Sequence, residues 1–274
     1  MWPWGIERGS GLLRYLKLFG MLAKVGLMKQ MAYPPHFFLM ITGKTLRIAL
    51  LFFFYQAIFF KINRIGQWSY DQVLLLFATF QMVDYLISIT FQRNLASSLP
   101  RRIQTGELDA RLVLPTNLLF LVSLEDVDMM DFFSFLPSLG FLFYVLYRLQ
   151  FAFTWTQVLL YLVLLASAIL FLYAISLIVA TTSFWTTQSI GLAGIFDDLL
   201  KIGRYPLDIF TGFWKIVFLY FLPLVVIAQI PAQALLNTLH PAFALFSCGV
   251  AGLSLWLALR FWRMGLRHYS SPGT

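Results

Sequence analysis

Residues 158–180 read VLLYLVLLASAILFLYAISLIVA, without one charged side chain. A helix needs about 20 apolar residues to cross the hydrocarbon of a bilayer, and this run is long enough. The rest of the chain has the same character: 60% of its 274 residues are hydrophobic, 18% are aromatic and only 12% are charged. A soluble domain carries roughly 25% charged residues, so the solvent for most of this surface is lipid. In lipid the backbone must satisfy its own polar groups, which leaves helices or a closed barrel. Barrel strands alternate lipid-facing and lumen-facing residues. Here the apolar runs are continuous, as in Ile48–Phe60, and they read as helices.

Working outward, further spans are expected near 38–60, 72–92, 132–150 and 241–262. Ahead of them, residues 12–31 pattern as an amphipathic helix. Leu12, Leu16, Phe19, Ala23 and Leu27 share one face, and Arg14, Lys17 and Lys24 lie opposite. A basic amphipathic helix before the first span is expected to lie in the membrane interface. The first eleven residues lack the apolar run and small-residue cleavage site of a signal peptide.

Two segments compete to be the remaining span. Residues 213–236 are apolar but contain Pro223 and Pro231, while 187–206 carry Asp197, Asp198, Lys201 and Arg204. Orientation helps to choose. Arg8, Arg14, Lys17, Lys24 and Lys29 precede the first span, Arg93, Arg101, Arg102 and Arg111 follow the second, and Arg260, Arg263 and Arg267 close the last. Lys and Arg mark the cytoplasmic side, so six spans with both termini in the cytoplasm are expected. Lys61 and Arg64 run weakly against that rule.

The net charge of +8 belongs to this topology, because no aromatic–basic motif of a nucleic-acid module accompanies it. Cys248 is the only cysteine, and His36, His240 and His268 lie far apart, so no disulfide and no Cys/His metal spacing exists. No cofactor is expected. Gly43-Lys44-Thr45 mimics the end of a phosphate loop but lacks its earlier glycine, since Phe38 stands there. Lys44 and Arg47 are instead expected to snorkel to the interface. Glu125, Asp126, Asp128 and Asp131 read as a solvated acidic face. Asp197-Asp198 cannot share a proton, as neighbours on a helix point about 100° apart; pairing with Lys201 is expected.

Two segments hold candidate functional residues. In the second span, Gln81, Asp84, Tyr85, Ser88 and Gln92 share one helical face. An ionised Asp at a helix centre costs about 2.5–3.5 kcal/mol on insertion scales, so the stripe must face protein or water, as a helix interface or a substrate path. The other segment is the connection 93–115, cytoplasmic by charge, with a short helix bounded by Pro100 and Pro115. It carries Arg101, Arg102, Gly106, Glu107, Leu108 and Asp109, then Leu112 and Leu114. Either a solvated loop or a docking element for a cytoplasmic partner fits these residues.

That last segment resembles the coupling segment of type 2 ABC exporter permeases, and most of all the bacterial single-domain, six-span permeases encoded as pairs. Phe184-Trp185, Tyr205-Pro206-Leu207, Leu222-Pro223, Ile230-Pro231-Ala232, Phe261-Trp262 and Gly265–Ser271 follow in the order of that family. Tyr33-Pro34-Pro35-His36-Phe37 departs from it, where relatives carry an arginine after the tyrosine. The resemblance implies a bacterial inner-membrane permease without enzymatic activity. It pairs with a second permease of the same or another kind and rests on a cytoplasmic ABC ATPase dimer. It implies coupling through Arg101, Arg102, Gly106, Glu107, Leu108 and Asp109. It also implies a fifth span ending near Tyr205-Pro206, with 212–236 forming a re-entrant pair of half-helices. Apolar, aromatic-rich walls suit an amphipathic or lipid-like cargo. An intramembrane enzyme would need a convergent acid–base pair, and a secondary transporter would show inverted repeats; neither is found in the sequence.

Overall fold

A computed structural model describes residues 11–32, 34–150, 154–186 and 189–270. Arg8, Tyr33 and Ser271 lie outside them, as do the side chains of Leu12 and His36. The described residues form an all-α membrane protein. Its helices are α1 (Gly11–Met31), α2 (Pro34–Phe59), α3 (Tyr70–Thr90), α4 (Leu99–Thr105), α5 (Asp109–Leu112), α6 (Leu118–Leu124), α7 (Met129–Leu149), α8 (Trp155–Thr181), α9 (Ser189–Leu200), α10 (Gly212–Ile216), α11 (Gln229–Leu235) and α12 (Pro241–His268).

Among the described residues, five stretches are long and apolar enough to cross a bilayer: Phe37–Phe59 in α2, then α3, α7, Trp155–Phe184 along α8, and α12. Local chemistry fixes where they start. Ser69 and Thr154 each have the backbone N–H bonded by a glutamine three residues on, Gln72 and Gln157, at 2.9 Å. Asp128 caps α7 by accepting from the N–H groups of Met130 and Asp131. Pro241 opens α12 at a position that needs no donor. Helix α3 is the axis of the bundle, buried along nearly its whole length, with α7 and α8 against it and α11 beside it. Helix α12 packs along α8, and α2 rests on α7 with its outer face of Phe38, Leu46, Leu50 and Phe53 exposed.

The segment expected as a sixth span, 187–206, is shorter than the other five. Helix α9 tightens into a 3-10 turn at Lys201–Arg204. Pro206 then bars further helix, because the residue before a proline is pushed to extended backbone, as Tyr205 is with ψ 147°. This end meets the α2–α3 connection. The Tyr55 hydroxyl donates to the Arg204 carbonyl at 3.2 Å, and Asp208 lies against Gly66. Beyond it, α10 runs into a π turn at Val217–Phe221, and the chain unwinds at Leu222-Pro223 before α11 resumes. Ile227, in that stretch, is buried and lines a small void together with Asp84 and Leu200.

Helix α1 forms where periodicity places it, with its inward face rotated slightly from the expected one. Phe19, Ala23 and Leu27 of the expected apolar face are half-buried together with Tyr15, Leu18, Leu22 and Gly26, whereas Leu16 is exposed. The reason is Gly26. A Cβ there would stand 2.5 Å from the Val127 carbonyl oxygen, so the absent side chain allows backbone contact. Tyr15 seals the same face on Phe120, with ring centroids 4.7 Å apart.

Candidate coupling site

Helix α3 continues past Thr90 into a π turn at Asn94–Ser98 and then into α4, so the candidate coupling segment is a direct extension of a span. A π turn adds one residue to a helical turn and opens backbone groups to outside partners. Asn94, fully buried, exploits this. Its Nδ2 donates to the carbonyls of Thr90, Ser123 and Asp126 at 2.9–3.0 Å, and its Oδ1 accepts from the Asp126 N–H at 3.1 Å. This side chain pins the start of the segment to the α6–α7 turn.

The segment then folds around an ion-pair cluster. Arg102 points inward, its side chain only 8% exposed. Its Nη1 is 2.9 Å from Glu125 and its Nη2 is 3.2 Å from Asp126. Arg111 grips Glu125 from the other side, with Nη2 at 3.1 Å and Nε at 3.4 Å from the two carboxylate oxygens. That bond to Glu125 raises the pKa of Arg111, which stays charged throughout. Lys29 of α1 reaches Asp126 at 3.7 Å, and Arg93 reaches Asp128 at 3.8 Å. The acidic residues 125–131 are therefore the anionic half of a clamp, correcting the expected solvated face. They sit where α1, α3 and α7 converge, and cations arrive from three directions.

Helix α4 ends at Gly106, whose φ of +75° is left-handed. The Leu108 N–H closes back onto the Arg102 carbonyl at 3.2 Å, across the left-handed turn at Gly106. Leu108 is fully buried. The sequence-derived residues thus divide. Arg102 and Leu108 hold the segment from within, and Gly106 turns it. Arg101 and Glu107 stay exposed, 3.8 Å apart, beside exposed Gln104, Thr105, Ala110, Leu112 and Val113. A groove of about 720 Å³ separates this surface from α1, with Lys29, Arg93 and Arg101 among its walls.

Asp109 has a further tie. Its Oδ1 accepts a hydrogen bond from the Tyr269 hydroxyl at 2.9 Å, just beyond α12. Burial, then the bond to Asp109, pushes the Tyr269 phenol up to about 12. Tyr269 also packs on Phe184, which contacts Trp262, and Trp185 stacks on Phe261. Gly265 makes room, since a Cβ there would lie 2.6 Å from the Phe184 ring. The ends of α8 and α12 and the coupling segment form one packed unit. Nothing in the sequence reading linked Tyr269 to Asp109 or noticed Asn94.

The polar stripe of α3 has cationic company. Arg47 donates to Asp84 at 3.3 Å and lies over the Tyr85 ring, and Lys44 pairs with Asp131. Beyond the expected snorkelling, α2 packs on α3 and α7 and brings both cations to carboxylates of those helices. Gln81 is buried, and Ser88 donates to Gln92 at 2.6 Å. Gln92 hydrogen-bonds Asp197, while Lys201 pairs with exposed Asp198 at 2.6 Å. The expected pairing with Lys201 thus goes to Asp198, while Asp197 turns toward Gln92. Asp84, Gln92, Asp197 and Lys201 border a void of about 20 Å³, room for a single water.

Compared with protein families, residues 45–273 match the model of the ABC-2 family transporter proteins. No curated protein matches the chain.

Proposed function

Because the chain belongs to the ABC-2 family of transporter proteins, we propose that it is the membrane-spanning permease of an ATP-driven exporter, coupled to its ATPase through residues 93–115. Family membership makes it a membrane component that partners with an ABC ATPase. The finer reading rests above all on the clamped α4–α5 segment. It continues span α3, is locked by Arg102 to Glu125 and Asp126, and is tied through Asp109 to Tyr269. A force on its exposed face is delivered to α3, α8 and α12 together. Such a rigid element can bias two packed arrangements of a bundle. The ATPase is a separate dimer, the permease works beside a second permease of the same or another sequence, and the cargo is amphipathic or lipid-like. Localisation is the bacterial inner membrane.

Exposed Glu107 gives the direct test. Glu107→Lys reverses one charge beside Arg101, leaves the buried clamp intact, and is expected to reduce co-purification of the ATPase and to abolish transport-linked hydrolysis. The protein should remain at wild-type levels in the membrane. Undiminished ATPase capture and transport in this variant would remove the segment from the docking surface.

Both termini are placed in the cytoplasm. Residues 189–206 form a short fifth crossing, and α10 and α11 form a re-entrant pair from the outer face. The approach of Asp208 to Gly66 and the unwound backbone at Leu222-Pro223 support this reading. Non-helical backbone at membrane depth is tolerated when protein buries it, as at Leu224–Ala228. In a background lacking Cys248, cysteines at Phe213 and at Asn237 should both react with an impermeant reagent from the periplasm. Reaction of the Phe213 position from the cytoplasm alone would restore 213–236 as a full span.

A further inference from the structure

A cavity of about 570 Å³ opens between α1, α6, α8 and the end of α3, away from the coupling groove. Phe91, Leu119, Phe120, Leu124, Ile169 and Leu170 make most of its wall. Its polar groups gather at Tyr15 and Asn117 and at the Ser123–Tyr173 hydroxyl pair, 3.0 Å apart. The depression is open along one side, and its apolar wall with few polar groups suits the flank of a long apolar chain. With α1 at the cytoplasmic interface, as proposed above, the cavity lies at the level of the inner leaflet. A cation adjoins its polar end in the chain: Arg14 precedes Tyr15 and donates one guanidinium N–H at 2.9 Å to the carbonyl of Pro115, two residues before Asn117. A guanidinium carries five N–H donors, enough to hold a phosphate as well.

We propose that this cavity is a binding site for an anionic phospholipid of the cytoplasmic leaflet, with one acyl chain against Phe91, Phe120 and Leu170 and the phosphate at Arg14. The chain alone gives no selectivity, because lipid tails are as apolar as the leucines that would receive them. Selectivity comes from the headgroup, whose negative charge meets Arg14 near the surface, and a preference of about fivefold for anionic over zwitterionic lipid follows. Sequence reading placed α1 on lipid in general; this site gives one lipid a fixed address under it.

The test uses the protein purified with its accompanying subunits in nanodiscs. These contain a trace of phospholipid with a photoreactive acyl chain, bearing either a phosphatidylglycerol or a phosphatidylcholine headgroup. Adducts are expected in peptides covering 117–124 and 169–173, about fivefold more from the anionic probe. Leu170→Trp, at a half-exposed position that tolerates size, should remove them. Arg14→Gln should equalise the two probes while adducts persist. Labelling spread over α2 and α12 without enrichment at the cavity would overturn the proposal. So would equal labelling by both headgroups in the unaltered protein, or labelling unchanged by Leu170→Trp. Neither ATP nor transport enters the readout, so failure here leaves the permease reading standing.

Discussion

Arg102→Ala is expected to lose about 2–3 kcal/mol of stability, below the 3–5 kcal/mol of a fully buried ion pair, because Glu125 and Asp126 keep partial access to water. The substitution removes one cation from between two carboxylates. Arg111 can still neutralise Glu125, but Asp126 is left with only the 3.7 Å contact from Lys29. The loss should appear as a lower melting temperature of the purified complex and as faster proteolysis within 99–115. Arg102→Lys should recover only part of it, since an ammonium cannot bridge two carboxylates as a planar guanidinium does. A melting temperature unchanged by Arg102→Ala would mean that the clamp contributes nothing, and the lever would lose its fixed base.

Gly106→Val should abolish transport-coupled ATP hydrolysis, and Gly106→Asn should largely retain it. The two substitutions separate conformation from surface chemistry. At φ +75° a β-branched residue is a genuine outlier, and holding it there costs on the order of 1–3 kcal/mol. The chain will relax instead, breaking the Leu108–Arg102 backbone bond and withdrawing Leu108 from the core. Asparagine adopts the left-handed region readily, yet it adds a polar side chain to the same surface. If docking needed a bare glycine, both variants would fail equally in ATPase assays. If the turn is what matters, only valine fails.

The spans were legible because their signal is local. Val158–Ala180 is apolar whatever it touches, and hydropathy finds α2, α3, α7, α8 and α12. Proline chemistry at Tyr205-Pro206 and Pro223 was equally local and marked where the backbone breaks. Legibility stopped where a side chain had to choose between partners. Arg101 and Arg102 are adjacent and identical, yet one is exposed and the other buried, and only carboxylates more than twenty residues onward decide which. The signal that could have found the clamp was present: a basic connection followed by Glu125-Asp126 at the same end of the bundle. The partners of Lys44 and Arg47 were hidden for the same reason, as Asp131 and Asp84 belong to other helices. Asn94 gave no sign, since one asparagine among polar residues looks like any other until its three carbonyl acceptors are in place.

The bond between Asp109 and Tyr269 joins residues 160 positions apart. At synthesis rates of about 5–20 residues per second, roughly 10–30 s pass between the making of one partner and of the other. The Arg102 contacts to Glu125 and Asp126 are short-range by comparison and can form early. A ribosome-bound chain therefore holds the α4–α5 segment clamped to Glu125 and Asp126 but untied from the end of α12 for many seconds, and a chain arrested before Tyr269 never makes that tie.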